Sequence, residues 1–176
     1  MTPSDSDHPL RTVSYLVLGL LETAGPQTSY DLERNVEISV GFFWPFPHSQ
    51  LYREPHRLAV DGLVTATRES SGRRRTVYTI TDAGRAALRS WLAEPADPAQ
   101  RRDPAMLKLF FSDASPDIVA GLAAHRVADL EKTITFLEQP GLGGPEGSST
   151  RRTVDWGLSL CRADLAFWRS LLQDQP

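Results

Sequence analysis

Hydrophobic residues near the start of the chain recur with the period of an α-helix. An apolar stripe at the spacing i, i+3, i+4, i+7, i+8 predicts an amphipathic helix over residues 12–23, formed by Val13, Leu16, Val17, Leu20 and Leu21. A second helix is predicted from Thr28, where Asp31 completes an approximate capping box. A third helix is predicted over residues 48–61 and ends at Gly62.

The hydrophobic period changes after Gly62 from that of a helix to that of a strand. Residues 63–67 and 76–80 therefore predict two β-strands, and the polar, basic segment between them predicts a hairpin with a long tip. A fourth helix is predicted to follow this hairpin. The order helix, helix, helix, hairpin, helix predicts a winged helix-turn-helix domain over residues 10–94, preceded by a polar tail at residues 1–9.

The remainder of the chain is predicted to be helical. Two segments rich in proline and glycine predict an inter-domain linker at residues 95–103 and a flexible loop at residues 139–149. Three helices are predicted over residues 104–111, 117–137 and 153–172. The predicted fold class is mainly α (α+β): an N-terminal winged helix-turn-helix with a two-stranded wing, plus an all-helical C-terminal dimerisation domain over residues 104–176.

The two long C-terminal helices carry apolar residues at heptad spacing. These two seams include Val127, Leu130 and Ile134, and then Leu158, Cys161, Leu165 and Trp168. The last helix has a second apolar stripe at Leu160, Phe167 and Leu171. Because so small a domain cannot bury all of this surface, the pattern predicts a partner subunit.

Composition and charge narrow the class of protein. The chain has 176 residues and a net charge of -3, but residues 44–78 hold six arginines against three acidic side chains, a local charge of +3. With one cysteine it forms no internal disulfide, which indicates a reducing, cytoplasmic compartment. No apolar run approaches the length of a membrane span, and the polar, acidic start is unlike a secretory signal.

The third predicted helix carries the most informative polar face. At 100° per residue, Leu51, Pro55 and Leu58 lie on the side that faces the core. The opposite side and its flanks carry Ser49, Gln50, Tyr52, Arg53, His56 and Arg57. Arginine can donate two hydrogen bonds to guanine and glutamine can pair with adenine, so this face fits a DNA major groove. A plain solvated helix face would show the same residues, and the helix alone leaves the two interpretations open.

The hairpin tip favours nucleic acid. Arg73, Arg74 and Arg75 follow Gly72 and two serines, which places three fixed charges on a loop beside the polar helix. Such a wing can reach the DNA backbone or the adjacent minor groove. A solubilising loop is the alternative, and the coincidence with a helix-turn-helix favours DNA contact.

Other chemistry receives little support from the sequence. Phe43, Trp44 and Phe46 could line a ligand pocket with Trp156, although aromatic clusters more often pack in a core. Cys161 lies on a heptad position and is interpreted as a buried structural thiol. The four histidines lack metal-ligand spacing and no nucleophile elbow is present, so no metal, cofactor or catalytic residue is predicted.

Several stretches together resemble the PadR-like transcriptional regulators of bacteria. The resemblance lies in residues 14–21, in the segment FWPFPHSQLYRE at residues 43–54, in RTVYTITDAG at residues 75–84, and in LKLFF at residues 107–111. The last of these, with the two long helices after it, is similar to the C-terminal domain of the virulence-activator type.

This resemblance implies a homodimer that binds a pseudo-palindromic operator and represses transcription. The third helix, including His48, would enter the major groove, and Leu16 and Leu20 of the first helix would join the C-terminal helices at the dimer interface. Some family members release DNA when a small aromatic compound binds. The alternative to DNA binding is a winged-helix module that docks a partner protein, which the net charge of -3 favours slightly.

Overall fold

The computed structural model describes residues 10–44, 47–70, 74–96, 98, 102–115 and 117–173, with His48 described by its backbone alone. The chain divides into two compact units, residues 1–97 and 98–176. Each unit has a hydrophobic core of its own. The predicted polar tail at residues 1–9 lies outside the described residues. Among the helices that are described, none combines the length and the apolar character needed to cross a bilayer.

In its described residues, the first unit contains four helices and three strands. Its helices are α1 (Thr12–Ala24), α2 (Ser29–Glu37), α3 (His48–Val60) and α4 (Asp82–Ala93), and its strands are β1 (Gln27–Thr28), β2 (Val64–Arg68) and β3 (Thr76–Ile80). The predicted bounds of the helices agree with these to within about two residues. Side chains cap two of them, since Thr28 and Asp31 form a capping box on α2 and Thr81 accepts a hydrogen bond from the amide of Gly84 on α4.

The strands form one antiparallel sheet in the order β1-β3-β2. Val64 pairs with Ile80 and Arg68 with Thr76, which confirms the predicted hairpin. The prediction lacked β1, which pairs Gln27 with Tyr78. Two residues are too few to show a period, so this strand exists only because tertiary packing brings it beside β3.

The core of the first unit fixes α3 between α1, α2 and the sheet. Leu51 and Leu58 of α3 are fully buried against Leu18 of α1 and Leu32 of α2 in one apolar cluster. Pro55 is buried on the same face, as the helical periodicity predicted. The opposite face of α3 is thereby directed outward.

The second unit is helical, with α5 (Pro104–Phe110), a short 3₁₀ turn at Ser112–Ala114, α6 (Ile118–Leu137) and α7 (Ser149–Gln173). The last helix begins four residues earlier than the predicted residue 153. Arg162 of α7 pairs with Glu138 at 2.7 Å, and Arg169 pairs with Glu131 of α6 at 2.6 Å. From Arg162 to Arg169 the chain advances seven residues along α7, while the acidic partner moves back seven residues, from Glu138 to Glu131. Helices α6 and α7 are therefore antiparallel.

The heptad seams pack against each other within this unit. Leu130, Leu158, Leu165 and Trp168 are all buried in the single chain, and three of them form a cluster with Ala123. The prediction that these four residues form the subunit interface is therefore wrong. When two consecutive helices of one chain pack antiparallel, their apolar seams bury each other and are no longer available to a second subunit. Val127, Ile134 and Cys161 are partly buried against the same cluster, and Leu16 and Leu20 against the core of the first unit; for these five, contact across a subunit interface stays a prediction.

Candidate nucleic-acid interface

The outward face of α3 carries a set of polar side chains. Ser49, Gln50, Arg53 and His56 are all exposed. Within the described part of the chain, Arg53 has no ion-pair partner, so its guanidinium can donate to an incoming ligand. The side chain of His48 lies outside the described atoms. This face combines hydrogen-bonding side chains with the positive charge of Arg53, as base edges and phosphates in a groove require.

Arg57 does not belong to this outward face, contrary to the prediction. Its side chain is 24% exposed, and its guanidinium contacts Glu54 at 2.5 Å and Asp61 at 2.8 Å. It also donates to the hydroxyl of Ser14 at 2.9 Å. The helical wheel placed Arg57 among polar neighbours, but a long side chain can reach around the helix to an acidic partner. With four of its five N–H groups donating within the first unit, Arg57 is not a reader of base edges in this conformation.

The partner of Arg57 is a buried carboxylate at Glu54. That side chain is 1% exposed, and besides Arg57 it accepts hydrogen bonds from Ser14 at 2.6 Å and from Arg11 at 2.7 Å. Burial by itself would raise the pKa of Glu54. The hydrogen bonds from Arg57, Ser14 and Arg11 together outweigh burial and hold the pKa below its ordinary value. Glu54 is therefore ionised inside the first unit.

Sequence reasoning missed both Glu54 and Ser14 as members of a cluster. Glu54 lies about 60° from Leu51 on the helical wheel, within the apolar arc, and Arg57 follows three residues later. An ionisable residue at a core position must be paired, so the position of Glu54 was an available signal. Its partners Ser14 and Arg11, 40 and 43 residues away in the chain, carry no such signal.

Tyr52 is exposed but its hydroxyl is engaged. It donates to the carboxylate of Glu33 on α2 at 2.6 Å, and this hydrogen bond raises the pKa of Tyr52 above its ordinary value. A phenol has one hydrogen to donate. In this conformation the hydrogen that Tyr52 could donate to a phosphate is directed at Glu33, and contact of Tyr52 with DNA stays a prediction.

The wing presents cations on both sides of its tip. Arg68 ends β2 and is exposed, and Arg74 is exposed just before β3. Arg75 pairs with Glu69 at 3.2 Å across the hairpin while 53% of its side chain stays exposed, so it stiffens the wing and keeps part of its surface available. Arg73 lies outside the described residues.

Two of the aromatic residues before α3, Phe43 and Trp44, lie outside the core. Phe43 is 37% exposed and Trp44 is 50% exposed, so the interpretation of this run as core packing is wrong for both. The rings of Phe42 and Phe43 meet edge to face, with centroids 4.8 Å apart. Phe46 lies outside the described residues, and Trp156, in the second unit, is 51% exposed. A role for these side chains in binding a ligand stays a prediction.

The part of the chain that the structure describes contains no candidate metal-binding site. No group of three or more histidine, cysteine or acidic side chains there is placed to hold an ion. Cys161 is partly buried beside the core of the second unit, and burial raises the pKa of its thiol. A protonated, partly buried thiol is unreactive, in keeping with its interpretation as a structural residue.

Comparison with known proteins relates the chain to DNA-binding regulators. The model of the transcriptional regulator PadR-like family matches residues 17–90, which span the winged helix. The negative transcriptional regulator PadR of Bacillus subtilis is 30% identical over 142 residues, covering 79% of this chain and 74% of that protein. The chain belongs to the PadR-like family of transcriptional regulators.

Solved structures of the PadR-like family share this fold over nearly the whole chain. The crystal structure of Bacillus subtilis PadR in complex with operator DNA superposes with a TM-score of 0.78 at 24% identity, covering 93% of this chain and 98% of that one. The complex of the same protein with p-coumaric acid gives a TM-score of 0.72 at 24% identity, covering 94% and 95%. The PadR-like architecture therefore includes the helical second unit as well as the winged helix.

Proposed function

We propose that this PadR-like regulator is a repressor that binds a pseudo-palindromic DNA operator as a homodimer. The observation that carries the proposal is the exposed polar face of α3, with Gln50 and Arg53, in the same unit as a wing that exposes Arg68 and Arg74. The structure of Bacillus subtilis PadR with operator DNA supports it, because that protein is similar in sequence and fold.

Each element has a distinct task in this proposal. Gln50 and Arg53 read base edges, because an amide and a guanidinium each match the donor and acceptor pattern of one base. Ser49 and His56 lie near the same face and bind phosphate oxygens. Arg74, with Arg73 and Arg75, neutralises backbone phosphates through the wing and contributes affinity without sequence preference.

The proposed dimer surface is the exposed part of the second stripe of α7, Leu160 and Phe167, together with Trp156 one turn before it. Leu171, the last residue of that stripe, is partly buried against the core of the second unit. Trp156, Leu160 and Phe167 lie within about 40° of one another on the helical wheel, and all three are exposed in the single chain, by 51%, 39% and 42%. Ala163 lies between them and is also exposed. Since the other face of α7 is buried against α6, we assign this exposed apolar face of α7 to contact with a second copy.

A small aromatic effector that releases the operator completes the proposal. The complex of the related Bacillus subtilis protein with p-coumaric acid supports this class of compound. Titrating p-coumaric acid into the protein–DNA complex is the direct check, and release of DNA at a saturable concentration is the expected result. The proposed site of action is the bacterial cytoplasm, where operator DNA lies, and the proposed role involves no catalysis.

Footprinting on the DNA upstream of its own gene tests the function. The expected result is two protected half-sites whose centres are about one helical turn apart, with binding that weakens steeply between low and moderate salt. A winged helix that instead docks a protein would give no footprint and no such salt dependence. The absence of protection on every DNA tested, including sequences selected from a random library, would overturn the proposal.

A further inference from the structure

Helix α3 is weakly held by its own backbone. Its N-terminal residue follows Pro47, which provides no side-chain cap. Pro55 lies inside the helix and has no N–H group, so the carbonyl of Leu51 loses its intrahelical partner. The half of α3 that carries Gln50 and Arg53 therefore depends on tertiary contacts for its orientation.

The side chain of Glu54 supplies such contacts. It is buried next in sequence to the exposed Arg53, and one carboxylate oxygen accepts from both Ser14 and Arg57 while the other accepts from Arg11. Ser14 is itself fully buried in the first turn of α1, and its hydroxyl also accepts the backbone N–H of Arg11 at 2.9 Å. The carboxylate thus ties α3 to the N-terminal end of α1 through two charge-assisted hydrogen bonds, from Ser14 and from Arg11, while its third partner, Arg57, lies on α3 itself.

A buried carboxylate is a costly way to stabilise a fold. Desolvation of the two charges of a buried pair often exceeds their attraction, and apolar side chains of the same volume are commonly as stable. The buried carboxylate instead contributes geometric specificity, because Glu54 can reach Ser14 and Arg11 at only one rotation of α3 about its axis. With side chains, a helix has a radius of about 5–6 Å, so a rotation of about 20° moves a surface group by about 2 Å, more than a hydrogen bond tolerates.

We propose that Glu54 is a positioning residue for DNA recognition: through Ser14 and Arg11 it fixes the rotation of α3, so that Gln50 and Arg53 meet base edges. This inference rests on the proposed function. Glu54 contacts no DNA in this scheme. Its loss leaves the wing contacts in place, so it reduces discrimination between sequences more than it reduces affinity for DNA in general.

The test compares binding to the selected operator with binding to a random-sequence duplex of equal length at one salt concentration. Glu54→Leu replaces the carboxylate with an apolar side chain of similar size, and Ser14→Ala removes one anchor without changing charge. Asp61→Asn is the matched control, because it removes a carboxylate partner of Arg57 that has no link to α1. Thermal melting of each variant establishes that it is folded.

The expected result is a fall of about tenfold or more in the ratio of operator to random-sequence affinity for Glu54→Leu, a smaller fall for Ser14→Ala, and an unchanged ratio for Asp61→Asn. An unchanged ratio in folded Glu54→Leu or in Ser14→Ala would overturn the positioning role. If Glu54→Leu fails to fold, Ser14→Ala decides the question. Failure of the wild-type protein to prefer any sequence would instead overturn the proposed function.

Discussion

Phe167 and Trp168 are neighbours in α7, and their rings meet edge to face with centroids 5.5 Å apart, yet they lie in opposite environments. Trp168 is 1% exposed and belongs to the core between α6 and α7, whereas Phe167 is 42% exposed. Successive helical residues point about 100° apart. A single turn of α7 therefore packs Trp168 into the interior of the subunit and exposes Phe167 on its surface.

Replacing these two residues separates the two surfaces. Trp168→Ala is expected to lower the free energy of unfolding by about 3–5 kcal/mol, because a large buried ring leaves a cavity. Phe167→Ala is expected to change the stability of the monomeric chain by less than about 0.5 kcal/mol. Urea denaturation at a protein concentration that keeps the chain monomeric measures both. Equal losses for the two variants would contradict the division of α7 into two faces.

The stripe on α7 predicts which substitution dissociates the dimer. Leu160→Asp puts a charge into an apolar contact and is expected to shift the protein from dimer to monomer in light scattering at micromolar concentration. Ala166→Asp adds the same charge to an exposed position of α7 outside the stripe and serves as the control. A dimer that survives Leu160→Asp, or one that Ala166→Asp dissociates equally, would place the interface elsewhere.

Arg53 and Arg74 are expected to differ in what they contribute to DNA binding. Arg53→Ala removes a contact with one base pair, so operator affinity falls by about 1–3 kcal/mol and sequence choice relaxes at that position. Arg74→Ala removes a phosphate contact, so it weakens binding to all sequences alike and lowers the slope of log K against log salt by about one. Fluorescence anisotropy at several salt concentrations measures both. A salt slope unchanged in Arg74→Ala would exclude the wing from the interface.

The buried carboxylate predicts a pH dependence of stability. The pKa of Glu54 is lower in the folded protein than its ordinary value of 4.5, because the hydrogen bonds outweigh burial. Below that value the unfolded chain binds a proton that the folded chain still excludes, so stability falls as pH falls. The advantage of the wild type over Glu54→Gln is thus full above the unfolded pKa and is lost as pH drops through the folded pKa. Denaturant midpoints from pH 7 to pH 3 measure it, and a difference that grows toward low pH would contradict the argument.

Gly84 is expected to tolerate no side chain. A Cβ there would lie 2.2 Å from the carbonyl oxygen of Leu63 and 2.9 Å from a side-chain carbon of Ile80. Gly84→Ala is therefore expected to destabilise the first unit by about 1–3 kcal/mol. Gly19→Ala in α1 is the control, since its Cβ would meet nothing within 4 Å and alanine favours a helix interior by about 0.5–1 kcal/mol. Thermal denaturation compares them, and equal melting temperatures would show that β2 and α4 can separate at this point.

The helices, the wing hairpin and the outward face of α3 could be predicted from local patterns in the sequence. These follow from local causes that a short window contains: the spacing of Leu51 and Leu58, the cap at Thr28, and the change of period after Gly62. The family resemblance rested on the same stretches. The exposed positions of Gln50 and Arg53 were predictable for that reason.

Which surfaces are buried within the chain and which stay exposed depends on how the helices pack in three dimensions. Sequence spacing says that Leu130 and Leu165 lie on apolar seams, but whether a seam meets its own chain or a second one depends on which helix folds back beside it. Likewise the helical wheel predicts that Arg57 is exposed, whereas in the folded unit its guanidinium binds Glu54 and Ser14. Contacts between residues 40 or more positions apart in the chain depend on the packing of the whole unit. The local pattern of polar and apolar positions therefore does not predict them.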